Sequence, residues 1–165
     1  MRLVIQRVSR ASVTVYDEGH EYDESHITHQ EKIGKGLMIL LGVEETDLPA
    51  DVEWLVGKAS MMRIFDDENG VMNLSLKDIK GECMVVSQFT LFASTKKGNR
   101  PSWYRAARHD ISVPLYEEFC AKMSDAIGRP VAKGVFGADM QVESVNDGPV
   151  TLILDTDQLM DTPRR

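Results

Sequence analysis

The chain has 165 residues, of which 42% are hydrophobic and 27% are charged, and its formal net charge is −7. This length and composition predict one globular domain over residues 1–165, and the acidic balance disfavours a protein that coats nucleic acid through Lys and Arg. The longest apolar run, residues 37–41, is far shorter than the roughly 20 residues of a membrane span, so we expect no membrane segment.

The beginning of the chain and its cysteines favour a cytoplasmic protein. Gln6 and Arg7 interrupt the apolar N-terminal residues, which is unlike a signal peptide. The two cysteines, Cys83 and Cys120, both lie in apolar segments. We interpret them as reduced core residues of a protein in a reducing compartment.

The first part of the chain predicts mainly β-structure. Residues 2–8 and 11–16 each alternate apolar and polar side chains, which predicts a hairpin or a bent strand pair. Residues 17–32 are polar and acidic, and we interpret them as an exposed excursion. Residues 36–43 are continuously apolar, which is typical of a strand buried on both faces.

The excursion at 17–32 also contains three of the four histidines, His20, His26 and His29, among several carboxylates. Imidazole and carboxylate are ligands for transition metals. The spacing of these residues matches no usual ligand set, however, so we expect a solvated loop, no metal site and no cofactor.

Apolar residues at helical spacing predict two amphipathic helices. The first has Thr46 or Asp47 as its candidate N-cap and Pro49 in its first turn. The second has Ser112 as its candidate N-cap and is expected to end at Gly128.

The remaining segments predict further strands. Residues 82–92 predict one strand, and residues 140–145 and 150–154 predict two more, joined by residues 146–149. Six or seven strands and two helices predict a mixed α/β domain, a curled sheet or open barrel with both helices packed on one side. The exposed side or edge of such a sheet needs a partner, and a second copy of the chain is the simplest one.

One stretch departs from the acidic average of the chain. Residues 95–109 contain five Lys and Arg residues and no carboxylate, with Trp103 and Tyr104 between them. Such a stretch is either a solvated loop and helix start, or a local contact for a polyanion on a surface that otherwise repels RNA. The five cations are Lys96, Lys97, Arg100, Arg105 and Arg108.

Two polar segments are unusual for their positions. Residues 87–90 place Ser, Gln and Thr at the end of a strand that looks buried, where they either point outward or face a pocket. Residues 146–149 contain the Asp-Gly pair of a tight hairpin turn, but Pro149 removes a backbone donor from the next strand. The bond before a proline is also the place where a cis peptide costs least.

The sequence has none of the common short catalytic signatures, but it resembles one family over nearly its whole length. It resembles the bacterial-type D-aminoacyl-tRNA deacylases, although the excursion at 17–32 is longer than the short turn usual there. The resemblance implies a homodimeric hydrolase of the ester bond of D-aminoacyl-tRNA, with no cofactor and no other stable protein partner. The matching segments are SQFTL at 87–91, NDGPVT at 146–151, MRLVIQRVSRASVTV, IGKGLMILLGV, MRIFDDENGVMNLSL, VVSQFTLFA, KGNRPSWYRAA and FGADMQVESVNDGPVTLILD.

The resemblance also implies a chirality gate. A cis Gly148–Pro149 pair of one subunit would reach residues 87–90 of the other subunit, and Arg7 would brace the pair. A rigid wall of main-chain oxygens leaves room for hydrogen on one side of the substrate α-carbon and clashes with an L side chain. Because glycine has no side chain to clash, glycyl-tRNA is also expected to be hydrolysed.

Two mechanisms remain open at this stage. Thr90 is either a nucleophile or proton-transfer residue, which requires a nearby base, or the N–H groups around Phe89 and Thr90 stabilise the oxyanion. We favour the second mechanism, in which water attacks with help from the ribose 2′-hydroxyl, Gln88 orients or shields the substrate, and Ser87 lines the same pocket. The cations expected to contact the acceptor-stem phosphates are Lys96, Lys97 and Arg100.

Two alternative functions are also compatible with the sequence. One is a hydrolase of other aminoacyl esters or of free D-amino-acid esters. The other is a non-catalytic nucleic-acid-binding module, for example one for duplex DNA, which the acidic net charge disfavours.

Overall fold

The main sheet is organised around one long strand, β1 (Arg2–Tyr16). The first half of β1 pairs antiparallel with β3 (Gly36–Gly42), and its second half pairs antiparallel with β2 (Ile27–Ile33). The other edge of β1 pairs antiparallel with β8 (Met140–Asp155). The structure, a computed structural model, describes residues 1–17, 19 and 22–159.

Two parallel strands extend the sheet beyond β3. β6 (Glu82–Ser87) pairs with β3, and β7 (Ala132–Lys133) pairs with β6. A hydrogen bond of 2.8 Å between the His29 ring and the Lys133 carbonyl connects β2 to β7, so the sheet curls almost into a closed barrel. A small separate hairpin is formed by β4 (Phe65–Asp66) and β5 (Met72–Leu74).

Two longer helices, α1 (Pro49–Met61) and α2 (His109–Ile127), pack on the same face of the sheet. A short helix, α3 (Thr156–Leu159), follows β8. None of the helices in the described part of the chain has the length and apolarity that a membrane crossing requires. The predicted mixed α/β architecture, a curled sheet with helices on one side, is confirmed.

Alternating side chains of the strands fill two separate cores. On β3, Leu37, Ile39 and Leu41 face the helices, whereas Met38 faces the inside of the curled sheet. This alternation follows from the period of two residues in a strand, and it explains why β3 is apolar throughout. Both cysteines are free and buried, as predicted. Burial raises the pKa of both thiols, that of Cys120 to about 12.

The predicted hairpin or strand pair at residues 2–16 is wrong, because these residues form one strand. Exposed Ser9 and Arg10 mark the place where the partner on one edge changes from β3 to β2. Irregular pairing with β8 on both sides of Val8 accommodates the break in alternation. Residues 9 and 10, which separate the two predicted strands, are therefore an irregularity within a continuous strand.

The excursion at residues 17–32 contains more structure than predicted. A short 3-10 helix, Glu24–His26, precedes β2, which pairs with β1. β2 is largely exposed, so its residues are mostly polar and the sequence did not predict a strand there. The His26 ring lies 3.0 Å from an Asp23 oxygen, and His20 lies outside the described residues. In the part of the chain that the structure describes, no group of three metal-binding side chains is found.

Both predicted helix N-caps are wrong. α1 starts after Leu48, whose N–H donates to the Asp51 carboxylate at 2.8 Å, while Asp47 accepts a hydrogen bond from the Glu44 N–H at 2.7 Å. Ser112 lies inside α2, and its hydroxyl donates to the Arg108 carbonyl at 2.9 Å. The predicted end of α2 at Gly128 is confirmed, since Gly128 is left-handed with φ of +69°.

Two strand boundaries also differ from the prediction. The strand predicted at residues 82–92 ends at Ser87, and a 3-10 helix, Phe89–Phe92, follows it. The two strands predicted at 140–154 are one strand, β8, in which residues 146–149 do not reverse the chain. Both differences fall on the two polar segments that the sequence singled out.

Candidate active site

The 3-10 turn (Phe89–Phe92) lies directly beyond the buried end of β6. The Gln88 N–H donates to the Leu41 carbonyl at 2.8 Å, which extends the β3 pairing by one step. A Cβ atom at Gly42 would lie 3.1 Å from the Gln88 carbonyl oxygen. The glycine that ends β3 therefore lets the chain pack closely beneath the turn.

The beginning of the 3-10 turn presents backbone N–H groups. Phe89 and Thr90 are its first residues, whose N–H groups lie outside the hydrogen-bond pattern of a helix. The Gln88 side-chain amide donates to the Thr90 hydroxyl. An amide cannot take the proton of a hydroxyl, so this contact does not activate Thr90 as a nucleophile. Backbone N–H groups of this kind can stabilise a developing oxyanion.

A cavity of about 100 Å³ opens beside the turn, between the end of β6 and the start of α2. Ser87, Gln88 and Phe89 all contribute to its wall. The structure thus brings three of the four residues predicted at 87–90 to one cavity, and Thr90 contacts Gln88 next to it. Its lining residues are Leu41, Val43, Ser87, Gln88, Phe89, Ala107, His109, Ser112 and Phe136.

The cavity includes His109, which the sequence analysis did not place in the site. His109 is the first residue of α2, and its ring packs edge-on against Phe136 with 5.5 Å between centroids. A backbone hydrogen bond of 2.9 Å from Ala107 to the Val43 carbonyl brings this segment to β3. Nothing in the local sequence indicates this contact, since it depends on long-range packing of the loop before α2.

Arg2 holds the far end of the 3-10 turn. Its guanidinium donates to the Leu91 carbonyl at 2.6 Å, and to the Asp155 carboxylate at 2.8 and 2.6 Å. The same group lies 4.9 Å from the centre of the Phe92 ring, and the Arg105 guanidinium lies 5.4 Å from that centre. The turn is therefore held by the hydrogen bond from Arg2 and by the contacts of Arg2 and Arg105 with the ring of Phe92, its last residue.

Residues 147–150 form a bulge in β8, which we call the β8 bulge. Gln6 pairs with Thr151 and Val8 pairs with Asn146, so four residues of β8 lie opposite the single residue Arg7. The Gln6 side-chain oxygen accepts hydrogen bonds from Asn146 at 2.7 Å and Thr151 at 2.8 Å. One β1 side chain thus connects both ends of the bulge.

Arg7 fills the space beneath the β8 bulge. It is 7% exposed, and its guanidinium donates to the Asp147 carbonyl at 2.9 Å and to the Ile64 carbonyl at 2.6 Å. Gly148 has φ of +117°, and a Cβ atom there would lie 2.6 Å from an Arg7 nitrogen. Only glycine combines this backbone conformation with so close an approach. The peptide bond between Gly148 and Pro149 is cis, and both residues are exposed.

The 3-10 turn and the β8 bulge lie far apart within one chain. Ser87 pairs with Leu41 and Leu41 with Leu3, whereas the bulge lies opposite Arg7, four residues further along β1. Three interstrand steps of about 4.8 Å lie across the strands, and four residues of about 3.3 Å lie along them. The diagonal of these two lengths within the sheet is roughly 20 Å. The structure therefore does not bring Gly148 and Pro149 to Ser87 within one protomer.

The structure divides the basic stretch into two groups. Arg105 pairs with Glu44 at 2.6 Å, and Arg108 lies 3.6 Å from Glu45. The hydrogen bond to Glu44 raises the pKa of Arg105. The remaining cations are exposed and line one groove of about 420 Å³, and no ion pair involves them in the described residues. These cations are Lys96, Lys97 and Arg100.

Comparisons with known proteins match this chain over most of its length. A family profile described as D-Tyr-tRNA(Tyr) deacylase matches residues 4–155. Proteins named D-aminoacyl-tRNA deacylase from Porphyromonas gingivalis and Bacteroides fragilis are 54% and 56% identical, and each match covers 94% of this chain and 97% of the relative. The chain belongs to the D-aminoacyl-tRNA deacylase family.

Solved structures extend the comparison of this family member to the fold. A structure described as "c-Myc DNA Unwinding Element Binding Protein" is 37% identical, with a TM-score of 0.80, covering 94% of this chain and 98% of the other. A structure described as "a probable eukaryotic D-amino acid tRNA deacylase" has a TM-score of 0.75 at 18% identity, covering 93% and 97%, and its likeness is one of fold alone. The resemblance and the curled-sheet fold inferred from sequence are confirmed.

Proposed function

We propose that this chain hydrolyses the ester bond of D-aminoacyl-tRNA and releases the D-amino acid and the tRNA. Membership of the deacylase family supports this activity. The observation that carries it is the 3-10 turn after β6, which begins with Phe89 and Thr90 at a cavity lined by Ser87, Gln88 and Phe89. An acyl ester passes through a tetrahedral oxyanion, and backbone donors of this kind stabilise such an anion.

In the proposed reaction, the turn binds the developing oxyanion and water attacks the ester carbon. The ribose 2′-hydroxyl of the terminal adenosine assists the water, and the alcohol of the tRNA leaves with the proton. The Thr90 hydroxyl is hydrogen-bonded to Gln88 rather than to a base, which supports this mechanism over nucleophilic attack by Thr90. Gln88 lines the cavity wall, where it would orient the substrate.

The proposed active site is completed by a second copy of the chain. Gly148 and Pro149 are exposed, and within one protomer they lie roughly 20 Å along the sheet from the 3-10 turn. Among the residues that the structure describes, β8 pairs only with β1, and most of its side chains are exposed in the single chain. A long, exposed edge strand is usually covered in native proteins, and a homodimer covers it symmetrically.

The β8 bulge of the partner chain would then serve as the chirality gate. Arg7 and Gly148 fit together so closely that main-chain oxygens of the bulge cannot retreat toward β1 without displacing the guanidinium. A fixed wall near the substrate α-carbon accepts hydrogen and rejects an L side chain by steric clash. Glycyl-tRNA has no such side chain, so we expect it to be hydrolysed as well.

Acceptor-stem phosphates are the proposed ligands of Lys96, Lys97 and Arg100. These side chains share a groove, and the loop that carries them is closed by two backbone hydrogen bonds between Ser94 and Ser102, of 2.8 and 2.9 Å. The acidic remainder of the chain would repel other polyanions, so the contact would be local.

The test is to measure single-turnover hydrolysis of D-, L- and glycyl-tRNA by the wild-type chain and by Thr90→Ala. We expect hydrolysis of the D- and glycyl-substrates, no hydrolysis of the L-substrate, and a rate for Thr90→Ala within about tenfold of wild type. A loss of about 10⁶-fold, as for removal of a true nucleophile, would instead identify Thr90 as that nucleophile.

A second candidate function is a non-catalytic nucleic-acid-binding module. It is favoured by one observation, the likeness to a structure described as a DNA unwinding element binding protein. The net charge of −7 works against duplex binding. A gel-shift titration with duplex DNA at physiological salt distinguishes the two functions, and we expect no complex at micromolar protein.

A further inference from the structure

An aromatic path leads away from the cavity at the 3-10 turn. Phe89 lines the cavity and is 57% exposed, and its ring meets the Trp103 ring edge-on with 5.4 Å between centroids. Trp103 is 39% exposed and its neighbour Tyr104 is 71% exposed. Exposed aromatic rings that follow one another beside a cavity are typical of a binding surface.

The path ends at the basic groove. Tyr104 lines this groove together with Lys96, Lys97 and Arg100. The cations are exposed, and no carboxylate in the described part of the chain forms an ion pair with them. Aromatic faces beside unpaired cations match a ligand that offers both flat bases and phosphates.

We propose that Trp103 and Tyr104 form a stacking surface for the unpaired nucleotides that precede the terminal adenosine of the tRNA. This inference rests on the proposed function, which places the ester of that adenosine at the cavity beside Phe89. The preceding nucleotides then run over Trp103, one base stacks on Tyr104, and the strand continues into the acceptor stem, whose first phosphates contact the basic groove. A duplex offers no free base faces, so the surface selects the single-stranded end of the substrate.

The test compares two substrates that differ only in this segment, D-aminoacyl-tRNA and D-aminoacyl-adenosine. Base stacking on an aromatic side chain corresponds to roughly a 5- to 100-fold change in affinity. For Tyr104→Ala we therefore expect KM for the tRNA to rise within this range, with kcat unchanged and hydrolysis of the aminoacyl-adenosine unchanged. Tyr22→Ala is the matched control, because Tyr22 is also exposed but lies in the connection between β1 and β2.

Salt dependence tests the phosphate contacts separately. Each phosphate contact to a duplex contributes about 0.9 to the slope of log affinity against log salt. Replacing both Lys96 and Lys97 with Ala should therefore lower the slope for tRNA binding by about 1.8 if each contacts one phosphate. An unchanged slope would contradict the contacts.

Three results would overturn the stacking surface. They are an unchanged KM for tRNA in Tyr104→Ala, an equal loss on both substrates, and a change in the oligomeric state of the variant. The last result would show that a second copy of the chain covers Tyr104 instead. Failure of the proposed function is distinguishable, because the wild-type chain would then hydrolyse neither substrate.

Discussion

The 3-10 turn and the β8 bulge are both places where a strand leaves regular pairing, and β1 supplies an arginine to each. Arg2 binds the Leu91 carbonyl at the far end of the turn, whereas Phe89, at its beginning, lines the cavity. Arg7 lies under the bulge and occupies the space that a side chain at Gly148 would need. We therefore propose two different tasks, in which Arg2 anchors the turn that supplies backbone donors and Arg7 resists movement of the bulge.

The largest expected effect is on the turn and comes from removing one backbone donor. Phe89→Pro removes the Phe89 N–H, and proline suits the first position of a helix. Gln88 has φ of −145° and ψ of 82°, which lies outside the α region that a following proline disfavours. We expect kcat to fall by about 10²–10³-fold, as for loss of one oxyanion donor.

Phe89→Ala is the matched control for that measurement, because it removes the same ring and keeps the N–H. Comparing the two variants in single-turnover deacylation separates the donor from the aromatic contact. If Phe89→Ala and Phe89→Pro lose the same activity, the backbone donor at this position is not used.

The next largest effect is expected at the β8 bulge. Arg7→Met removes the hydrogen bonds to the Asp147 and Ile64 carbonyls. Bonds from a charged group are each worth about 1.5–3 kcal/mol. Weakening the wall by one such bond should raise the ratio of L- to D-aminoacyl-tRNA hydrolysis by about 10- to 100-fold.

Arg63→Met is the control for the bulge, because Arg63 is exposed and also donates to a backbone carbonyl, that of Asn73 at 2.8 Å. It should leave the L-to-D ratio unchanged. Retained discrimination in Arg7→Met, in a variant that still folds, would show that Arg7 does not keep the bulge in place.

A smaller effect is expected from Arg2→Met. Loss of the bond to the Leu91 carbonyl loosens the far end of the turn, while the N–H groups of Phe89 and Thr90 remain. We expect kcat to fall by about tenfold, corresponding to about 1.4 kcal/mol, and the L-to-D ratio to stay constant. A change in the ratio here would mean that the two arginines do not have separate tasks.

The smallest effect is expected at the buried thiols between the sheet and the helices. Burial raises the pKa of Cys120 to about 12, so at pH 8 the thiol is protonated and only a trace is thiolate, the reactive form. Reaction with a thiol reagent should be slow in wild type and stay slow in Arg2→Met and Arg7→Met. Rapid labelling of either variant would show that its altered activity results from unfolding.

The sequence was sufficient for the architecture and for the two segments on which the candidate site is built. The apolar run of β3 and the helical spacing of α1 and α2 predicted elements that the structure contains. The polar segments at 87–90 and 146–149 were singled out because their residue types are unusual within strands.

The local conformations could not be predicted because long-range contacts decide them. Asp147-Gly148 has the composition of a hairpin turn, but Gln6 and Arg7 of β1 hold the same residues as a bulge. Leu48 is the N-cap of α1 although its side chain cannot accept a hydrogen bond, and its own N–H donates to the Asp51 carboxylate. His109 reaches the cavity only because the segment before α2 packs along the end of β3.

A mixed dimer tests the central claim most directly, with Phe89→Pro in one chain and Arg7→Met in the other, purified through two different tags. If each site takes its turn from one chain and its bulge from the partner, the only working turn faces an unaltered bulge. We predict hydrolysis of D-aminoacyl-tRNA with wild-type rejection of the L-form. Hydrolysis of the L-form at the relaxed ratio of the Arg7→Met homodimer would contradict the account, because turn and bulge would then come from the same chain.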